Sequence, residues 1–213
     1  MPQSWQTYRD ERGDFEYDSP IYTNQSYPWQ NFEARNDSAN AYAATVYNPV
    51  GYYRTTFETP ESFKGRQTFI TFEGVESAYY VYVNGQEVGY SEDDYTAHDF
   101  NITPYLHTDG TPNTLAVKVF RWSDGSYLEN QDFLRLSGIF RDVSIYSKDN
   151  VELRDFFVHT TLDNKEDAVD SDATLALDVD VRSLSPEVSG DYNVTATLYD
   201  MDDQQVGSME IPV

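Results

Sequence analysis

The chain has 213 residues, no cysteine and a formal net charge of −23 from 37 acidic and 14 basic residues. The lack of cysteine excludes disulfides and thiolate metal sites, and it fits the reducing cytoplasm in which we expect the protein to act. So acidic a surface argues against nucleic acid and anionic membranes as partners, because both need a cationic surface. No apolar run approaches the roughly 20 residues that would span a bilayer.

The first part of the chain reads as an all-β sandwich. About fifty irregular residues rich in Asn, Pro and aromatics come first, and then short segments of alternating polar and apolar residues follow one another. The alternation in 113–120, for example, puts Leu115, Val117 and Val119 on one face. No segment has a convincing helical period. The predicted strands are 51–58, 68–72, 78–83, 86–90, 100–106, 113–120 and 141–146, with a two-residue hairpin turn at Asn84-Gly85.

The character of the sequence changes at about residues 147–150. Further strands are predicted at 151–160, 173–181 and 191–199, and they resemble the opening strands of an immunoglobulin-like sandwich. Because such a sandwich takes about 100 residues, residues 151–213 are expected to form only part of one. This segment holds 15 acidic and 3 basic residues. We interpret the acidity as a solvated face, with salt adaptation or a charged partner as alternatives.

A polar segment between two predicted strands stands out as a candidate site. Residues 121–132 follow the strongest strand pattern, and the segment 121–142 combines four carboxylates with aromatic residues and glycines. Connecting loops of a sandwich carry function more often than its strands do, because the strands form the core. This segment is therefore the first place to look for a binding site.

Several separated blocks, this segment among them, closely resemble the amino-terminal region of the lac-type β-galactosidases of glycoside hydrolase family 2. They occur in the family's order and cover most of residues 1–147. The blocks are SWQ (4–6), PIYTN (20–24), YP (27–28), NPVGYYR (48–54), GVESA (74–78), VNG (83–85), VGY (88–90), DFNITPYL (99–106) and RWSDGSYLENQDFLRLSGIFRD (121–142).

The resemblance implies a jelly-roll, galactose-binding-like domain over residues 1–148 and the start of an immunoglobulin-like domain over 151–213. In the family a (β/α)₈ barrel follows and carries two catalytic glutamates for retaining hydrolysis of terminal β-D-galactosides such as lactose. No part of this chain has the alternating strands and helices of a barrel. We therefore expect an amino-terminal fragment without catalytic residues, inactive alone, whose partners are the β-galactoside and the rest of the enzyme chain.

Two residues match family positions that reach into the active site. Asn24 stands where the family has an asparagine that hydrogen-bonds galactose. Asp132 stands where an aspartate contacts galactosyl hydroxyls and ligates sodium. The resemblance further implies sodium and magnesium as cofactors of the full-length enzyme, and a homo-oligomer. The chain departs from many members at Asn130, where they carry aspartate.

Other residues allow both a functional and a structural interpretation. Glu129 and Asp132 could suggest a catalytic pair, but on the resemblance Asp132 is a ligand and Glu129 is structural or solvated. Trp29 and Trp122 flank matched motifs and could contact sugar or simply pack. The remaining candidates are expected to be solvated turns or structural histidines, without calcium-loop or metal-ligand spacing: Asp93-Asp94, Asp202-Asp203, His98, His107 and His159.

Three functions remain open at the level of the sequence. The first is the β-galactosidase fragment described above. The second is a free-standing carbohydrate-binding module or lectin on the same fold, since sandwiches host both kinds of function. The third is part of a β-glucuronidase or β-mannosidase of the same family. The segment 121–132 favours the first.

Overall fold

A computed structural model describes residues 2–24, 26–29, 44–164, 166, 172–186, 188 and 190–213. The described residues are mainly strands, which we number in chain order. They are β1 Ile21–Thr23, β2 Val50–Phe57, β3 Gln67–Phe72, β4 Val75–Glu76, β5 Ala78–Val83, β6 Gln86–Ser91, β7 His98–Asn101, β8 Asn113–Phe120, β9 Phe133–Arg135, β10 Gly138–Ile139, β11 Val143–Lys148, β12 Val151–Leu162, β13 Ala173–Ser183, β14 Asn193–Tyr199 and β15 Gln205–Pro212.

The helices of the described residues are short. The α-helix α1 covers Gly125–Leu128, and 3₁₀ turns cover Trp5–Thr7, Glu61–Phe63 and Thr103–Tyr105. None of these helices is long and apolar enough to cross a membrane. The chain separates into two compact units, Met1–Ser147 and Lys148–Val213.

The first unit is a β-sandwich of the jelly-roll class. One sheet has the strand order β2-β8-β5-β6 and the other the order β11-β3-β7, all neighbours being antiparallel where their register is defined. The strict alternation of burial along β8 points Leu115, Val117 and Val119 into the core, as predicted. Ile70 and Phe72 of the other sheet enter the same core, so the alternating strand pattern is what joins the two sheets.

The turn between β5 and β6 confirms the hairpin predicted from Asn84-Gly85. Both residues adopt positive φ, 51° at Asn84 and 79° at Gly85, as a type I′ turn requires. The Asn84 amide also donates to the Tyr105 carbonyl at 2.8 Å, and its carbonyl oxygen accepts from the Thr114 backbone at 2.8 Å. This asparagine therefore ties the hairpin to two neighbouring segments.

The prediction of a strand at 100–106 is wrong for residues 102–106. β7 ends at Asn101, and a 3₁₀ turn occupies Thr103–Tyr105. The Asn101 side chain accepts the Thr103 backbone N–H at 3.0 Å, and Pro104 has no N–H with which to continue a ladder. Local side-chain bonding thus replaces strand pairing at this point.

The second unit consists, among its described residues, of two antiparallel pairs, β12 with β13 and β14 with β15. Leu175, Leu177 and Val179 lie on one face of β13, as the alternation predicts. Together with apolar residues of β12, β14 and β15 they line an open groove of about 540 Å³. The strand β15 was not predicted, because alternating residues such as Ser208 and Glu210 leave it without a continuous apolar face.

Candidate functional site

A three-residue strand pair places the two predicted site residues side by side. β1 and β9 run antiparallel, with Ile21 opposite Arg135 and Thr23 opposite Phe133. The next positions outward on the two strands are Asn24 and Asp132, and both are exposed. Residues 108 positions apart in the chain are therefore brought to the same end of a short two-stranded ribbon.

The entry to β1 is held by a buried arginine at the end of β8. Arg121 is fully buried, forms an ion pair with Asp18 and donates from Nη2 to the Ser19 carbonyl at 3.0 Å. These two residues stand just before β1. Arg121 thus connects the start of the segment 121–132 to the strand that carries Asn24.

Aromatic packing fixes the chain just after Asn24. The ring of Tyr27 stacks on Tyr127 of α1, with centroids 4.6 Å apart, and on Trp29 at 5.2 Å. Trp29 and Trp122 are both buried, and their ring centroids lie 5.5 Å apart. Of the two interpretations open for these tryptophans, packing is therefore the one that the structure supports. Their contacts hold residues 27–29 against the segment 121–132.

Tyr22 forms a further contact at the site. Interaction with the Asp132 carboxylate, by hydrogen bonding and by charge, raises the pKa of the Tyr22 hydroxyl above its ordinary value. Its neighbour across the ladder is Leu134. The sequence showed Tyr22 only as one letter of a matched motif, because the pairing of two three-residue strands has no signal in a hydrophobic pattern.

A buried group of charged residues lies on the inner side of this segment. It contains Glu76 of β4, Asp94 from the β6–β7 connection, Glu129 after α1 and Arg135 of β9. Burial raises the pKa of Glu76 to about 8. The pKa of Asp94 is raised to about 9. Burial is the main cause, followed by the charges of Glu76 and Glu129 and a hydrogen bond with Glu129. Asp94 is therefore protonated at neutral pH, and it can act as a hydrogen-bond donor to Glu129.

This group corrects one prediction and supports another. Of Asp93-Asp94, expected in a solvated turn, Asp93 is exposed but Asp94 is only 4% exposed, and it lies near Glu76 and Glu129 of distant segments. The interpretation of Asp202-Asp203 as a solvated turn is confirmed: both are exposed, and the Asp200 carboxylate accepts the Asp202 backbone N–H at 2.9 Å. Glu129 bonds to Asp94 inside the protein, which fits its structural interpretation.

A comparison with family models identifies the first unit. The model described as "Glycosyl hydrolases family 2, sugar binding domain" matches residues 1–149. The chain belongs to glycosyl hydrolase family 2. The predicted resemblance is thereby confirmed, and the all-β fold agrees with it.

Relatives in glycosyl hydrolase family 2 include bacterial β-galactosidases. One from Priestia megaterium is 43% identical over 97% of this chain, and one from Yersinia pestis is 37% identical over 100%. Among solved structures, a β-glucuronidase from Bacteroides uniformis is 28% identical, with a TM-score of 0.63 over 78% of this chain. The chain spans 18–19% of the length of those two curated relatives and 20% of that solved chain.

The donor atoms of this family 2 domain fit one of the two implied metals. Asp132 and Asn24 offer exposed hard oxygen atoms of the kind that sodium prefers, although they are too few to enclose an ion. The described residues contain no group of three or more acidic, histidine or cysteine side chains that could hold a metal ion, so this part of the chain would not enclose sodium or magnesium by itself.

Proposed function

We propose that this chain forms one wall of the active site of a retaining β-galactosidase that hydrolyses terminal β-D-galactosides such as lactose. One observation carries the proposal. The β1–β9 register brings Asn24 and Asp132 together, the two residues whose motifs match substrate-contacting positions of the family. The β-galactosidases among the curated relatives support the same substrate class.

The chemistry of the two side chains suits a sugar. The Asp132 carboxylate can accept hydrogen bonds from galactosyl hydroxyls, and the Asn24 amide can both donate and accept in a fixed plane. Asp132 is exposed, so its carboxylate can accept hydrogen bonds from a ligand as well as interact with Tyr22. When sodium is bound, Asp132 would supply one of its oxygen ligands and the ion would orient sugar oxygens.

Neither residue is proposed to be catalytic. Retaining hydrolysis needs two carboxyl groups about 5–5.5 Å apart across the glycosidic bond. Asp94 and Glu129 interact with each other, but Asp94 is buried and protonated at neutral pH, so this pair does not flank an open substrate position. We propose that the catalytic glutamates lie on a barrel domain outside these 213 residues.

The isolated 213-residue chain gives the first test. It should not hydrolyse o-nitrophenyl β-galactoside, and calorimetry should detect galactose only at about millimolar concentration or above, because two exposed polar groups offset little of the ordering cost. Micromolar binding of galactose would instead support a free-standing carbohydrate-binding module.

The second test replaces Asp132 by alanine in the complete enzyme that carries this chain. We expect kcat/KM for the galactoside to fall. The loss should correspond to about 2–4 kcal/mol of transition-state stabilisation, the size found for a well-placed polar contact. Most of the rate response to sodium should disappear with it. Unchanged kinetics with normal sodium activation would contradict the proposal at this residue.

A β-glucuronidase is the second candidate, and the solved structure from Bacteroides uniformis favours it. A glucuronide carries a carboxylate, which the exposed Asp132 carboxylate would repel unless a cation lies between them. Comparing hydrolysis of 4-nitrophenyl β-galactoside and β-glucuronide by the complete enzyme separates the two candidates. Preference for the glucuronide would overturn the galactosidase.

A further inference from the structure

Arg135 makes an unusual set of contacts with the segment that ends in Asp132. Nη1 donates to the Glu129 carbonyl at 3.3 Å, and Nη2 donates to the Asn130 side-chain oxygen at 2.5 Å and to the Gln131 carbonyl at 2.7 Å. One guanidinium thus bonds to three consecutive residues, and the next residue is Asp132. Two of the acceptors are backbone carbonyls, so these bonds constrain the path of the main chain directly.

The arginine itself cannot move far. It is 3% exposed, it belongs to β9, and it stands opposite Ile21 in the pair that carries Asn24. Its guanidinium carbon lies 3.9 Å from the centroid of the Phe133 ring. The segment 129–131 is therefore bonded to a side chain whose own position is set by the ladder.

The surroundings explain how a buried cation is tolerated. Burial lowers the pKa of Arg135, and electrostatic interactions with the carboxyl groups of Glu76, Asp132 and Asp94 oppose that shift. A purely electrostatic role, as counter-charge to Glu76, would need no bonds to residues 129–131. The three bonds point to a second role that concerns the geometry of this segment.

We propose that Arg135 is a positioning residue for Asp132: its guanidinium fixes the main chain of residues 129–131 and so sets where the Asp132 carboxylate lies relative to Asn24. Asn24 is placed by β1, and Asp132 is placed by the arginine on the facing strand. Tyr22 of β1 interacts with the same carboxylate. The inference rests on the proposed function, because it concerns how Asp132 reaches the sugar and sodium.

A double-mutant cycle in the complete enzyme tests this inference. Arg135→Gln should lower kcat/KM for the galactoside by about 10- to 100-fold, the loss expected when a contact is misplaced by about 1 Å. It should also raise the sodium concentration needed for half-maximal rate. In an Asp132→Ala background the same substitution should cost less than about 3-fold, because it acts through the missing carboxylate.

The outcomes separate the inference from the proposed function. If Asp132→Ala alone leaves the kinetics unchanged, both fail. If Asp132→Ala is damaging but Arg135→Gln costs the same factor with and without Asp132, or leaves the sodium response as it was, Arg135 is structural only and the positioning role is overturned.

A pair of substitutions at Asn130 covers the case in which Arg135→Gln fails to fold. Asn130→Ala removes one acceptor of the guanidinium, whereas Asn130→Asp keeps an oxygen there. The alanine variant should lower kcat/KM by about 3-fold or more only when Asp132 is present, and the aspartate variant should stay close to the parent. The inference would be overturned if Asn130→Ala and Asn130→Asp lowered kcat/KM equally. It would also be overturned if Asn130→Ala lowered kcat/KM in the Asp132→Ala background.

Arg66, which is partly exposed, provides an arginine control outside the site. It also bonds through its guanidinium to another segment, with Nε donating to the Ser147 hydroxyl at 2.9 Å. Ser147 is at the end of the first unit, away from the segment 121–132 in the sequence. Arg66→Gln should leave kcat/KM and the sodium response unchanged. A loss equal to that of Arg135→Gln would show that removing any such arginine suffices, and would contradict the inference.

Discussion

The two units use the same alternating strand pattern with opposite results. In the first, the apolar face of β5 and β8 in one sheet is covered by the apolar face of β3 in the other, and Phe72 is completely buried. In the second, the apolar faces of β12 and β13 line an open groove, and Phe156 is 61% exposed. An apolar face in the sequence therefore predicts which side of a strand can be covered, but not whether the described part of the chain covers it.

The largest effect should come from truncating a covered aromatic. Phe72→Ala removes a ring that packs against Tyr79 and Phe100 at centroid distances of 5.2 and 6.1 Å. We expect the free energy of unfolding of the first unit to fall by about 3–5 kcal/mol, measured by urea denaturation of the chain. A loss below 1 kcal/mol would mean that the core is not packed as described.

A smaller, pH-dependent effect is expected at Asp94. Its pKa in the folded state, about 9, lies far above the ordinary value of 3.8, so the folded state binds the proton more tightly than the unfolded chain does. The contribution of Asp94 to stability therefore falls as the pH rises from about 4 to about 9, and it levels off above that range. Asp94→Asn removes the ionisation, so the stability of the variant relative to the parent should increase between pH 5 and pH 8, by at most about 1.4 kcal/mol per pH unit.

Urea denaturation of both chains at a series of pH values checks this prediction. Glu76, which shares the environment and also has a raised pKa, remains in the variant and provides the residual pH dependence. A difference between variant and parent that stays constant from pH 5 to pH 9 would contradict a buried, protonated Asp94.

Phe156→Ala is the matched substitution on the uncovered face. Because most of this ring is already in solvent, we expect the free energy of unfolding of the 213-residue chain to change by less than about 1 kcal/mol. A cost near that of Phe72→Ala would show that the groove is covered in solution, and would remove the contrast between the units.

The smallest effect on stability should be at the site itself. Asp132 is exposed and lies outside the strands, so Asp132→Ala should change the free energy of unfolding of the chain by less than about 0.5 kcal/mol. Together with the kinetic loss expected in the complete enzyme, this would separate a binding role from a structural one. A large loss of stability would attribute the kinetic defect to folding instead.

The sequence by itself determined the β class, most strands of both units, the Asn84-Gly85 turn and the family, because alternation, turn chemistry and motif order are local properties of the chain. It also named Asn24 and Asp132, through motifs whose role remains a proposal. Only the tertiary structure brought these two residues together and showed the Tyr22 and Arg135 contacts, since β1 and β9 are too short to have a pattern of their own. It likewise decided that Asp94, Trp29 and Trp122 are buried, because burial depends on distant segments that cover a residue and not on its neighbours in the sequence.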